Sequence, residues 1–444
     1  MKIPFWKKQN TEKKDARKEW GGVGEFAENL ARFFSPEPQK EKILRHEDFA
    51  RAGDAYYATV SARYKVAQRV FVLLLVLFLL FSIFTNIREI TYGNFFYLVR
   101  DFENAVDIES TNYETLSYDV YRDQTFSLYK GGMAAISPSN VSVFTATGRR
   151  SFSSRSDYVL PYSVASDKYL LVYDISGTVF SLYNSFSKVY TETLEYPVTD
   201  ADISNSGDFA VLTRSSANKA VIQVYNEDMK LIGKFPKNLY ALDLAIDSSG
   251  ERMAVLYYDV GDGLGKTVLT VYDISERKGS DKREPDEGRV IFESEMEHLF
   301  PLSCAFTDKG VLSVVTDGSV TLFDKKYKNF ENYEYSSEPS AVYTGENGTA
   351  VAFRSGTLND INRIIAFDKD GKMLYNEVIR GAATEISLLG EYVFINSGSG
   401  VARLDTDIGE LESYECQSGS MLVYDESTVM VCAESKAVYV KFKN

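Results

Sequence analysis

"DISNSGDFAVLT" (202–213), "AIDSSGERMAVLYY" (245–258) and "AFTDKGVLSVVT" (305–316) are three versions of one phrase. Each sets a short run before a polar turn built on Gly207, Gly250 or Gly310, and an apolar, β-branched run after it. Glycine supplies the positive φ that a tight hairpin needs, and the neighbouring Asn, Asp and Ser bond readily to local backbone. A fourth turn, "GENGT", stands at 345–349. Around these lie "KYLLVYD" (168–174), "AVIQVYN" (220–226), "TVLTVYD" (267–273), "SVTLFD" (319–324) and "AVYVKF" (437–442). Their Tyr, Phe, Val and Thr in short runs are what half-buried strands require.

Aligned on the turns, the chain falls into units of one plan: strand, Gly turn, strand, loop, a strand ending in "VYD" or "LFD", then an outer strand. The units are 124–156, 159–195, 198–236, 240–295, 300–335, 339–380 and 383–416, with a half-unit at 419–444. The long fourth unit is accounted for by two loops, "DVGDGLGK" (259–266) and "SERKGSDKREPDEGR" (275–289). Four strands repeated at about 40 residues predict an all-β β-propeller, where a sandwich would not repeat one ordered pattern. The half-unit lacks an outer strand, and "TLSYDVYR" (115–122) is spare at the other end. Pairing of 115–122 with the strand around 437–442 gives eight blades; seven with an irregular C-terminal extension is the alternative.

The phrases resemble the degenerate SPDG-x-x-x-A repeats of bacterial WD40-like propellers. The layout is similar to a domain-of-unknown-function family of single-pass membrane-anchored WD40-like or PQQ-like propeller proteins from Gram-positive, Clostridia-like bacteria. The sequence departs from better-understood propellers: it has no Trp-Asp pair, and Trp6 and Trp20 are its only tryptophans. Quinone-type repeats and sialidase-type Asp boxes both need a tryptophan in the blades, so the resemblance carries over no catalytic residue.

Ahead of the repeats, residues 70–87 carry no charge between Arg69 and Arg88, and only Ser82, Thr85 and Asn86 are polar. A helix of that length rises roughly 27 Å, enough for a hydrocarbon core of about 30 Å if the arginines snorkel. The long leader and the lack of a pair of small residues at "FSIFTNIRE" predict an uncleaved signal anchor that places the lipid bilayer around 70–87. Residues 1–69 carry net +5, which leaves −19 on the remainder of a chain totalling −14. The positive-inside rule therefore expects a cytoplasmic tail at 1–69 and a propeller at 115–444 outside the cell membrane. The tail reads as partly disordered, with short helices; Phe26, Leu30 and Phe33 could form an amphipathic face. Phe95, Val99, Phe102 and Val106 suggest a juxtamembrane helix within a stalk at 88–114. The acidic exterior argues against nucleic acid as a partner.

No cofactor, metal or catalytic residue is predicted. "GDGLGKT" (261–267) lacks the first P-loop glycine and runs into a strand. "DKDGK" (368–372) has Gly371 too early and Ile379 where a calcium loop needs Glu. His46 and His298 are the only histidines, so a multi-histidine metal site is impossible, and a Ser-His-Asp triad outside the membrane would have to use His298. Cys304, Cys416 and Cys432 read as free thiols, with a Cys416–Cys432 bridge as the alternative. The aromatic stretch "NFENYEYSS" (329–337) reads as outer-strand packing before ligand surface. The function expected is a non-enzymatic binding or scaffold module facing an envelope protein or glycan. The alternative is an envelope hydrolase or lyase with carboxylates in the channel. A signalling receptor is weaker, since 69 residues of tail hold no effector pattern.

Overall fold

The computed structural model describes residues 52–85, 115–145, 148–261, 263, 265–275, 289–354 and 361–443. The chain divides into two compact units, Met1–Leu98 and Val99–Asn444. In the first, a helix runs from Ala52 to Thr85 and includes most of the uncharged stretch. Among the described residues no helix is long and apolar enough to cross a membrane. Arg63, Lys65 and Arg69 lie on it up to its middle, so the uncharged part of the described helix, 70–85, rises only about 24 Å. The stretch around Phe26, Leu30 and Phe33, His46, and the stalk at 88–114 lie outside the described residues.

The second unit is an all-β propeller of eight four-stranded antiparallel sheets. The first seven blades span 125–155, 161–193, 198–237, 240–297, 301–334, 339–380 and 385–415. In each, the strands follow chain order from the first, along the central axis, to the fourth at the rim. The eighth blade takes Ser420–Asp425, Thr428–Cys432 and Lys436–Lys441 from the end of the chain and Thr115–Ser117 from its start.

Burial explains the composition of each strand. The second strands Phe209–Thr213, Leu312–Thr316 and Thr428–Cys432 are buried at every residue, because neighbouring blades cover both faces. They therefore read as mostly apolar runs without polar alternation, the exceptions being buried Ser and Thr such as Ser313 and Thr213. The outermost strands Lys188–Thr193, Asn329–Glu334 and Leu411–Glu415 keep one covered face and alternate with solvent.

The Asp or Asn that ends the third strand in blades two to seven has a mechanical reason. Asp324 Oδ1 accepts the N–H of Lys326 at 2.8 Å and of Lys328 at 2.9 Å, folding the chain back into the fourth strand. Those bonds hold its carboxyl below the usual range, Lys328 first. Asn226 and Asp405 make the same Asx turn, and so does Asp368, which gives "DKDGK" a turn's role. At the other hairpin, Gly250 has φ +74°, and a Cβ there would stand 2.3 Å from Asp208 Oδ2 of the preceding blade's turn. Only glycine meets both conditions.

Closure pairs Thr115 with Val438, Leu116 with Ala437 and Ser117 with Lys436. The strand is shorter than the expected 115–122. After Ser117 the chain leaves the sheet; Asp119 turns to Arg150 at 3.1 Å, and Val120 is exposed. Leu116 and Tyr118 are buried with Met133, Phe144, Met430 and Cys432, filling the joint between blades eight and one. The Tyr118 hydroxyl donates to the carbonyl of Ala433, and its N–H donates to Ser435 O at 3.1 Å. On the other side of blade eight, Phe442 packs on Tyr414 with ring centroids 5.4 Å apart.

Truncating the closing strand should therefore open a cavity in a joint rather than fray an edge. We expect Leu116→Ala to cost about 2–4 kcal/mol and Tyr118→Phe about 1 kcal/mol in denaturant unfolding of the full chain. Unchanged midpoints in both would show that the strand does not close the ring.

Candidate functional site

The innermost strands surround the axis, and their period of two sends alternate side chains into it. Counted from the hairpin turns, Tyr162, Asp200, Asp243 and Ser303 stand at one level, and Val164, Asp202, Ala245 and Ala305 at the next. They line a cavity of about 870 Å³.

An innermost strand is a sheet edge, so half of its N–H groups face no strand partner. Acidic side chains satisfy several of them from the preceding blade. Asp200 Oδ2 accepts Leu244 N–H at 3.1 Å, Asp202 Oδ2 accepts Ile246 N–H at 2.7 Å, and Asp243 Oδ2 accepts Cys304 N–H at 2.6 Å. Glu385 Oε2 repeats the step to Met421 N–H at 2.9 Å. Hydroxyls make the link elsewhere: Ser127 Oγ to Ser163 Oγ, and Ser303 Oγ to Thr344 Oγ1, both at 2.7 Å. Tyr173 adds a bond from its hydroxyl to Asp200 Oδ1 at 3.2 Å.

The hairpin turns narrow the far end. Asn205 Nδ2 of blade three donates across the axis to Glu346 Oε1 of blade six at 2.7 Å. Asn205 Oδ1 accepts Asp167 N–H of blade two at 3.2 Å, and Glu346 O accepts Asp308 N–H of blade five at 2.9 Å.

Crowding carboxylates into this space shifts their titration. Burial, then the neighbouring Asp243 and Asp202, hold Asp200 protonated well above the usual carboxylate range. Burial likewise pushes Asp243 up, against the bonds it accepts from Cys304 and Ser303. Asp202 rises to about 6, from burial first. Glu346 is raised by burial, Asp308 and Asp167. The Cys304 thiol is raised strongly by burial and by Asp243, which makes it a poor nucleophile. The channel lining is thus acidic, with few cations: among the described lining residues Lys130 is the single basic one, its Nζ 5.6 Å from the Tyr129 ring centroid.

None of these carboxylates is singled out by a sequence motif. The signal that was available is local: "TDAD" (199–202) and "ALDLA" (241–245) put acids where an inner strand should be apolar. His298, the triad candidate, is exposed in the connection between blades four and five, with φ +60°. Lys266, which ends "GDGLGKT" but for one residue, opens the strand Lys266–Asp273. Cys304 and Cys432 are buried, Cys416 is half-buried, and all three are free, so no Cys416–Cys432 bridge forms. In the aromatic stretch, Tyr335 stacks on Phe353 with centroids 5.1 Å apart, while Phe330 is exposed. Among the described residues no cluster of three or more His, Cys, Asp and Glu could hold a metal ion.

A folded-state pKa above the unfolded value means stability that is full below about pH 4 and is lost as pH rises through the folded pKa. For Asp202 that loss falls near pH 6, and for the Asp200–Asp243 pair above the normal carboxylate range. We expect the thermal midpoint to rise as pH drops from about 8 to about 5.5, and Asp243→Asn to gain about 1–3 kcal/mol at the higher pH. A variant that melts no higher than the parent at the higher pH would contradict this assignment.

The described family "Family of unknown function (DUF5711)" matches residues 106–440. No curated protein matches the sequence. Among solved structures, BamB from Moraxella catarrhalis is similar at 13% identity and TM-score 0.50, covering 75% of this chain and 99% of that one. The Pan2 WD40 domain of Neurospora crassa is similar at 9% identity and TM-score 0.42, covering 63% and 89%. Hydrazine synthase of Kuenenia stuttgartiensis reaches 11% identity and TM-score 0.43, covering 70% and 99%. At these identities the likeness to BamB speaks for the propeller fold alone, and the two lower scores carry no argument.

Proposed function

The chain belongs to the DUF5711 family of unknown function, and on that premise we propose that it is a membrane-anchored binding or scaffold module whose propeller faces the cell envelope. The observation that carries this is a set of exposed apolar side chains where the inner strands begin. Leu242 and Leu302 on inner strands, Phe300 just ahead of one, and Val159 and Leu160 ahead of another are all exposed. Exposed apolar side chains at that end of the blades suit a protein surface better than water. The polar groups beneath them are occupied in holding blade to blade, which fits a rigid platform.

The anchor is the uncharged stretch 70–87, with the basic flank inside and the acidic propeller outside. A family of Gram-positive, Clostridia-like bacteria, as the sequence resemblance suggests, would place that propeller directly in the wall space. Partners there are envelope proteins or glycans; the net −19 beyond residue 69 disfavours nucleic acid.

One observation favours a second reading, an envelope hydrolase or lyase. Asp200, Asp202 and Asp243 converge on one cavity with raised pKa values, the arrangement from which acid–base pairs are built. Such an enzyme would lose turnover of wall glycan in Asp202→Asn.

Two measurements test the main reading. In a cysteine-free background, Ser35→Cys and Ser280→Cys should label oppositely with an impermeant thiol reagent on intact cells; labelling of the first alone would reverse the topology. A photo-crosslinking residue at Leu302 should give a discrete protein adduct in living cells, whereas one at Phe330 on the outer rim should not. Absence of any adduct from Leu302 would remove the binding reading.

A further inference from the structure

Three blades close the outer part of the joint to the next blade with a ring from the fourth strand. Four residues before the Asn or Asp of the Asx turn, the third strand pairs Ile222 with Phe235 in blade three, Val320 with Tyr333 in blade five and Val401 with Tyr414 in blade seven. Each ring reaches its neighbour. Phe235 meets Tyr272 edge-on at 5.1 Å, Tyr333 donates to Asn376 Oδ1 at 3.2 Å, and Tyr414 meets Phe442 at 5.4 Å. In blade four the same place, opposite Leu269, holds Ser294. The joint between blades four and five is left with a groove of about 480 Å³ at the rim. Sites for small ligands typically measure about 300–1,000 Å³.

The joint between blades one and two shows what such a place accepts. Blade one also has a serine there, Ser154 opposite Val141, but the connection that follows brings in Tyr158. The Tyr158 hydroxyl donates to Ser181 Oγ at 2.9 Å, and the ring is buried. Thr321 is the counterpart of Ser181, two residues before the aromatic that ends its third strand. No ring comes to Thr321. In the connection after blade four, Leu299 packs on the core of the joint and Phe300 turns out to meet Tyr258. A six-membered ring bearing a hydroxyl is thus supplied by the chain itself at one joint and missing at the other.

We propose that the groove between blades four and five binds an uncharged oligosaccharide, one sugar ring standing where Tyr158 stands at the other joint. This chooses the glycan arm of the binding reading above and rests on it. The hydroxyls of Ser294 and Thr321 and the amides of Asn329 and Asn332 offer the mixture of donors and acceptors that sugar hydroxyls need. Thr321 Oγ1 donates to Asn332 Oδ1 at 2.9 Å, and Asn332 Nδ2 donates to Glu334 Oε1 at 3.3 Å, so the amide is fixed before anything arrives. Among the described residues nothing bonds the side chains of Ser294 and Asn329. Met296, Leu299 and Phe323 give an apolar floor for the C–H face of a sugar ring. Charge selects against acidic polymers. Glu295, Glu297 and Glu334 line the groove, no cation is among its described lining residues, and nearby Lys266 is held by Glu295 at 2.7 Å.

The probes are chitotetraose, cellotetraose and maltotetraose, titrated calorimetrically into the full chain in nanodiscs. Controls are tetragalacturonate, which is acidic, and tyrosinamide, which mimics a tyrosine offered by a partner protein. We expect at least one uncharged tetrasaccharide to bind, and tetragalacturonate to bind at least about tenfold more weakly. Ser294→Tyr supplies the ring that blades five and seven carry, so it should abolish binding while the melt holds or rises. Thr321→Val changes little volume and removes the hydroxyl, so it should weaken binding about fivefold or more even if the tyrosine variant fails to fold. The proposal is overturned if no uncharged tetrasaccharide binds, if tyrosinamide binds as well as the sugars, or if binding survives intact in both variants. Adducts at Leu302 without sugar binding would remove the groove alone; absence of both would remove the binding reading with it.

Discussion

Three backbone pairings, Thr115 to Val438, Leu116 to Ala437 and Ser117 to Lys436, join residues more than 300 positions apart, and every blade contact depends on them. A ring of sheets has no hydrophobic core of its own; each blade buries its faces only against two neighbours. Without the joint, blades one and eight would each expose a face now filled by Leu116, Tyr118, Met133 and Met430. Closing so long a loop carries a large entropy cost, but that cost grows only slowly with length. Once met, it is shared by all eight interfaces.

Around the axis the same problem takes another form. Edge strands need partners for their inward N–H groups, and there is no room for a further strand. Carboxylates supply the acceptors, at 2.6 to 3.1 Å, and are kept near neutrality by one another and by burial. A protonated carboxyl still accepts through its carbonyl oxygen, so the link survives while the charge cost falls. That compromise makes the centre of the ring acidic and sensitive to pH at once.

Sequence revealed the repeat because its signals are local. Gly207, Gly250 and Gly310 mark hairpins, and Asp324 and Asp368 mark Asx turns, each within a few residues of the bonds that need them. The spare strand at 115 was legible from counting, although its length was not: Asp119 leaves the sheet for Arg150, a contact 31 residues away. The channel was hidden for a different reason. Asp200 and Asp243 look like two of many acids until register places them on adjacent inner strands. The register slips at Leu242 and Leu302, where both side chains are exposed, leave no mark in composition. The uncharged stretch at 70–87 is a reading of hydropathy and charge, and it lies in a unit apart from the propeller.

The bond from Asn205 to Glu346 joins the turns of blades three and six, and the same two residues also meet blades two and five. Contacts between neighbours hold a ring only around its circumference. A tie between blades that are not neighbours works along a chord, so it resists flattening of the ring as well as its opening. Loss of either side chain should therefore loosen that end of the ring while each blade stays folded.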